Sequence, residues 1–192
     1  MVDNGYEQDI RACLEVLENG GIILYPTDTV WGLGCDALNE AAINKLFMIK
    51  DRPKNKSMIV LVADAREILQ YVAITPPDII AIIGSFDRPT TVVYENPLDF
   101  PDNLRSEDGS VAMRVTTDEF CKALIKRYKK PIVSTSANLS GEETPAVFAK
   151  INPLLIGRAD YVVSWRQDDN KIVAPSRVIK LDEDGGIEVL RK

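Results

Sequence analysis

A short apolar run, Ile22 to Tyr25, stops at Pro26 and gives way to Thr27-Asp28-Thr29; a second run, Ile132-Val133, gives way to Ser134, Thr135 and Ser136. Apolar runs this short, bounded by turn formers, read as buried strands. A chain that twice drives a buried strand into clustered hydroxyls is constrained to a sheet that opens onto a polar site. Around these passages the pattern switches to the helical period. Residues 7–19 place Ile10, Leu14 and Leu17 on one face, with Gly20-Gly21 as the stop. Asn39 is set to cap a helix running to about Lys50, which Pro53 cannot continue. Asp64 caps a short helix, Pro76-Pro77-Asp78 opens another, and residues 118–128 form a further one. Strands are expected at 58–62, 90–94, 111–115, 161–164, 177–181 and 187–190, the last two joined by a turn at 182–186. Alternating strands and helices imply an α/β protein with an open twisted sheet. Adjacent strands at the C-terminal end make that sheet mixed, with flanking helices. Ligands of such sheets sit beyond strand ends, where residues 27–34 and 134–141 are expected to meet as two loops of one site.

Composition narrows the chemistry. The 192 residues suit one domain, 1–192, able to bury a substantial core. The longest apolar run, 58–63, falls far short of the roughly 20 residues of a membrane helix. The N-terminus lacks a basic region followed by an apolar stretch, so a cytoplasmic protein without membrane contact is expected. Cys13, Cys35 and Cys121 are odd in number and widely spaced, which favours inert thiols over disulfides or a zinc site. There is no histidine, which removes Ser-His-Asp and Cys-His nucleophile systems and the usual zinc sites together. No Walker A loop, dinucleotide fingerprint or nucleophile elbow occurs. With a net charge of −6, binding of a polyanion requires a local basic patch.

Three passages carry candidate chemistry. In Lys50-Asp51-Arg52-Pro53 the two cations either complement a helix C-terminus or bind an anion, the guanidinium as a planar fork and the ammonium as a point charge. Lys54 and Lys56 extend the patch as solvated surface charges. In the run from Ser134 to Gly141, the residues Asn138, Ser140 and Gly141 suit ordinary turn chemistry. The cluster of neutral donors also suits phosphate or ribose oxygens. Ser176 stands beside Arg177 in a third hydroxyl-bearing passage. The basic run at Lys122, Lys126, Arg127, Lys129 and Lys130 reads either as a solvated helix face or as an RNA contact.

Taken in order, "YPTDTVWGLG", "KDRP", "VAMRV", "STSANLSG", "PSRVIKL" and "VLR" resemble the successive signatures of the YrdC-like family, collinear from about residue 10 onward. The diagnostic combination is K-x-R with S-x-N, met here as Lys50, Arg52, Ser136 and Asn138. The resemblance implies an open α/β fold, also described as α+β, with a deep basic hollow and no additional C-terminal domain. It implies a nucleotidyltransferase, L-threonylcarbamoyladenylate synthase, that joins L-threonine, bicarbonate and ATP into threonylcarbamoyl-AMP and pyrophosphate. That reaction is the first step of tRNA threonylcarbamoyladenosine modification, completed by a separate transfer system. On this resemblance Lys50 and Arg52 face the triphosphate, and Ser136 and Asn138 hold phosphate and carbamate oxygens. Thr27, Thr29 and Arg114 orient threonine, and Ser134, Ser176 and Arg191 bind nucleotide. Mg2+ accompanies ATP without a dedicated protein cage.

The chain departs from the family pattern in places. Asp87-Arg88 precede Pro89 where Pro and Gly are common, Trp31 replaces a more usual Tyr, and Arg177 follows Ser176 where Thr is familiar. Trp165 has no assigned role. Two other classes remain open: an RNA-binding translation or ribosome-associated factor of the same fold, and a Ser-Lys hydrolase built on the clustered serines.

Overall fold

The computed structural model describes residues 5–51, 58–182 and 185–192. Helix α1, Glu7–Glu18, buries Ile10, Cys13 and Leu17. It ends as its composition demands, because Gly20 takes a φ of +69° and returns its N–H to the carbonyl of Leu17. Strand β1, Ile23–Tyr25, leads through the 26–31 loop into β2, Gly32–Asp36. Helix α2, Glu40–Ile49, starts where the Asn39 side chain accepts the Ala42 N–H at 3.1 Å. Strand β3, Ile59–Val62, and the short helices α3, Ala65–Tyr71, and α4, Ile79–Gly84, follow. Next come β4, Thr90–Tyr94, and β5, Val111–Val115. Helix α5, Glu119–Tyr128, is capped by Asp118, and β6, Ile132–Ser136, succeeds it. Helix α6, Pro153–Arg158, precedes the strands β7, Tyr161–Val162, β8, Arg177–Leu181, and β9, Ile187–Arg191.

The strands form one mixed sheet in the order β7-β1-β2-β6-β3-β5-β4-β8-β9. β1 with β7, β3 with β5, and β4 with β8 run parallel; the remaining neighbours are antiparallel. Register divides the sheet into two faces. Ile179, Val92, Met113, Val60, Val133 and Cys35 stand opposite one another across six strands, and all are buried. Their row belongs to the main apolar core, in which α1 and α5 join Phe120, Leu124 and Ile10 to the strands. The neighbouring row, shifted by one residue, runs through Val93, Ala112, Ile59, Ser134 and Gly34. Because alternate side chains of a strand point to opposite faces, this second row is free to do something other than fill the core.

Three expectations change. Gly32–Asp36 is a strand hydrogen-bonded on both sides, not a loop. Two glycines in five residues weaken any strand signal, yet pairing with β1 and β6 imposes the extended chain. Gly34 is needed there, since a β carbon would stand 2.5 Å from the Val133 carbonyl oxygen and 2.7 Å from the Tyr25 ring. The second correction concerns Ser134, Thr135 and Ser136, which lie within β6 and not beyond its end. The third concerns 161–164, where the ladder stops after Val162 because the amides of Ser164 and Trp165 turn to the buried carboxylate of Asp9, at 2.9 and 3.0 Å. Tyr161 also donates to Asp9 at 2.7 Å, tying α1 to this edge of the sheet.

Gly34→Ala is expected to cost about 3 kcal/mol through overpacking, with the backbone contact placing it at the high end of such changes. Urea denaturation checks this; a loss under about 0.5 kcal/mol would show that the ring and strand yield easily.

Candidate functional site

The second row of the sheet is the floor of a hollow of about 570 Å³. Its lining comes from the faces of strands: Ile59 of β3, Thr91 and Val93 of β4, Ala112 and Arg114 of β5, Ser134 and Ser136 of β6, and Val178 of β8. The site therefore lies on the sheet, not beyond the strand ends as the sequence suggested. Gly32 leaves room in the floor, because a β carbon there would sit 3.0 Å from the Ser134 hydroxyl. Hydroxyls dominate the described wall, joined by Arg114, Arg191 and Asp108. Hydrogen bonds from the side chain and amide of Ser110 hold the Asp108 carboxyl below its ordinary range.

Of the residues expected at the site, Thr29, Arg114, Ser134, Ser136, Ser176 and Arg191 meet in this hollow. The 27–29 loop folds on itself: the Thr27 hydroxyl donates to the Val30 carbonyl at 2.8 Å and accepts the Thr29 N–H at 3.1 Å. Thr27 consequently lines a narrow cleft next to the hollow, while Thr29 lines both. Arg114 is buried and donates from Nη2 to Asp28 Oδ1 at 2.9 Å and to the Thr29 hydroxyl at 3.4 Å. Across the hollow the hydroxyls of Ser176 and Thr91 are 2.8 Å apart, and Arg191 Nη2 donates to the Ser176 carbonyl at 2.8 Å.

Lys50 and Asn138 stand behind the wall. Lys50 is only 1% exposed, and its ammonium donates to the main-chain carbonyls of Ser136 and Asn138, the latter at 2.6 Å. The Ser140 N–H returns a bond to the Lys50 carbonyl at 2.9 Å. Asn138 accepts from the Ser136 hydroxyl and donates from Nδ2 to the carbonyls of Leu139 and Glu142, both at 2.9 Å. Arg52, with Lys54 and Lys56, lies outside the described residues.

Other open points settle into packing. Arg177 turns from the hollow to Thr90 Oγ1 at 3.1 Å, with its guanidinium 5.4 Å from the Phe86 ring centre. Trp31 packs on Phe148 at 4.8 Å, and Trp165 on Tyr6 at 5.3 Å. Cys13, Cys35 and Cys121 are free and buried, and burial pushes all three thiols up, so none offers a thiolate. Among the described residues no group of three or more His, Cys, Asp or Glu side chains is placed to hold a metal ion. None of their helices is long and apolar enough to cross a membrane. Sequence reasoning missed Ser106, Asp108 and Ser110, whose scattered positions carry no motif, and gave no site role to Thr91, which it noted only beside Pro89 in a passage that departs from the family pattern; it quoted Asp28 only as part of the Thr-Asp-Thr passage.

Fold and hollow together define an open mixed-sheet α/β protein with a hydroxyl-bearing hollow on one face of its sheet. The Sua5/YciO/YrdC family model, described as telomere recombination, matches residues 15–192, and the chain belongs to that family. It is 35% identical over 159 residues to a threonylcarbamoyl-AMP synthase of Xanthomonas campestris pv. campestris, covering 81% of this chain and 84% of the relative. Its structure is similar to P. abyssi Sua5 complexed with L-threonine, with a TM-score of 0.84, 25% identity and 96% of this chain covered. The chain spans about half of that protein, 54% of its length. E. coli YciO shares the fold at a TM-score of 0.79 and 23% identity, over 96% of this chain and 89% of that one.

Lys50→Met would leave the Ser136 and Asn138 carbonyls without their cation. A stability loss of about 3 kcal/mol is expected, with faster hydrogen exchange at Ser140. Unchanged denaturation and exchange would show that the ammonium does not shape this loop.

Proposed function

We propose that this chain is a threonylcarbamoyl-AMP synthase, a nucleotidyltransferase acting on L-threonine, bicarbonate and ATP. The observation that carries the reading is the convergence of Thr29, Arg114, Ser134, Ser136, Ser176 and Arg191 on one hollow. The reaction needs two anions brought together. The threonine amine takes up bicarbonate as a carbamate with loss of water. A carbamate oxygen then bonds to the α-phosphorus of ATP as the bond to the β,γ-diphosphate breaks, releasing pyrophosphate. Aligning such reactants supplies roughly 7–11 kcal/mol of barrier reduction, so positioned donors suffice and no histidine is required.

In this reading Arg114 and the Thr29 hydroxyl orient threonine, with Thr27 shaping their loop. Ser134, Ser176 and Arg191 hold the nucleotide, whose flat base suits the apolar floor at Ile59, Val93 and Val178. Ser136, turning its hydroxyl from Asn138, would donate to a phosphate or carbamate oxygen, and Asn138, whose Nδ2 is held by the Leu139 and Glu142 carbonyls, sets the place of Ser136 beside them. Lys50 and Arg52 supply the positive charge that makes the hollow basic toward a triphosphate, Lys50 from behind the 136–138 backbone. Mg2+ arrives on the phosphates of ATP. The activity resides in one domain, in the cytoplasm, and the adenylate passes to a separate tRNA-modifying transfer system.

Pyrophosphate release from ATP is expected to require both L-threonine and bicarbonate, with threonylcarbamoyl adenylate detected by mass. ATP binding that ignores both co-substrates would refute the substrate assignment. Absence of nucleotide binding, with RNA binding that weakens steeply with salt, would favour the RNA-binding alternative. Ser136→Ala is expected to lower turnover about a hundredfold, as for loss of one transition-state donor; near-normal turnover would remove Ser136 from the site.

A further inference from the structure

Asp28 sits between two site threonines yet lines neither the hollow nor the neighbouring cleft. Its side chain is 6% exposed and bound on both oxygens. Oδ1 accepts Arg114 Nη2 at 2.9 Å; Oδ2 accepts the Thr117 N–H at 3.0 Å and the Thr117 hydroxyl at 3.3 Å. One carboxylate thus ties the 26–31 loop to a wall residue of β5 and to the chain just past that strand. Arg114 is itself 4% exposed, and its Nε has no partner among the described residues. A buried donor left open in a residue that lines a cavity marks a place an acceptor completes.

We infer that Asp28 is a positioning residue for the amino-acid half of the site, holding Arg114 and Thr29 at the spacing a substrate carboxylate and hydroxyl require. The inference rests on the synthase reading. Arginine carries a long flexible stem, and the acceptors Asp28 Oδ1 and Thr29 Oγ1 at one Nη restrain the guanidinium while leaving its other donors for a ligand. The pair also cancels the charge of Arg114 locally. That keeps the guanidinium from collapsing onto a triphosphate bound in the same hollow. The nucleotide half has its own bonds, Thr91 to Ser176 and Arg191 to Ser176, and none of them involves Asp28. The two halves are therefore separable by substitution.

Asp28→Asn keeps the shape and removes the charge. The expected result is a KM for L-threonine raised at least tenfold, a KM for ATP unchanged within twofold, and kcat lowered only a few-fold. A brace that merely stabilises the fold would move both KM values together or neither, and either result overturns the inference. The nitrogen-15 resonance of the Arg114 Nε–H, identified by its loss in Arg114→Lys, gives a readout independent of turnover. It is expected to be sharp and slowly exchanging in the unsubstituted protein and broadened in Asp28→Asn; an unaltered resonance overturns the positioning role. If the unsubstituted protein makes no threonine-dependent product, the synthase reading fails, and this resonance still decides whether Asp28 orders Arg114. Should Asp28→Asn not fold, Asp28→Glu, which keeps the charge on a longer arm, is read by the same split between the two KM values and the same resonance.

Discussion

The ammonium of Lys50, buried where α2 ends, dictates the shape of the chain that leaves β6. Taking a cation out of water costs several kcal/mol unless polar partners replace the lost solvent. Here the partners include the carbonyls of Ser136 and Asn138, and two carbonyls so close in sequence can face one ion only if the backbone bends between them. That bend brings the Ser136 hydroxyl and the Asn138 side chain together and lets Asn138 close the loop onto Leu139 and Glu142. The return bond from Ser140 N–H to the Lys50 carbonyl fixes the helix end to the same loop. A buried cation thus determines where the Ser136 hydroxyl and the Asn138 amide stand.

The sheet turns this local constraint into a site. One row of side chains is uniformly apolar and belongs to the core; the next, offset by one residue, mixes Val93, Ala112 and Ile59 with Ser134 and lines the hollow. Burying the first row supplies stability on the order of 25 cal/mol per Å² of apolar surface, leaving the second free for binding. Glycine at 32 and 34 makes the open face possible near β2. The first clears the floor beside Ser134, and the second lets the buried Tyr25 ring cross toward β6, where its hydroxyl lies 3.4 Å from the Val133 carbonyl.

Much of this was readable in the chain. Caps at Asn39 and Asp64, the stop at Gly20, the helix start at Asp118 and the apolar runs at 90–94, 111–115 and 177–181 each carry local chemistry, and each marks its element in the structure. Strand β2 was not readable because its case is tertiary: glycines with weak strand preference are held extended by partners on both sides. Helix α6 escaped because its six residues carry too short an apolar pattern, although Asn152 and Pro153 are a proper start. For the site, clustered hydroxyls were visible, but Ser106 and Ser110 carry no signature until the fold brings them into one hollow with Ser134 and Ser176. The pairing of Asp28 with Arg114, 86 positions away, has no local signature at all.

The balance of donors in the hollow fits a reaction between anions. If formal charges alone gathered the substrates, an enzyme of net charge −6 would have to concentrate cations in one place, and their repulsion would weaken the fold around them. The structure places fixed hydroxyls on the wall, buries Lys50 behind the backbone and neutralises Arg114 with Asp28. Neutral donors held by their own hydrogen bonds need little reorganisation when charge moves within a bound ligand, and such preorganisation favours a transition state over bound substrates. The register among β3, β4, β5 and β6 decides which side chains face the hollow.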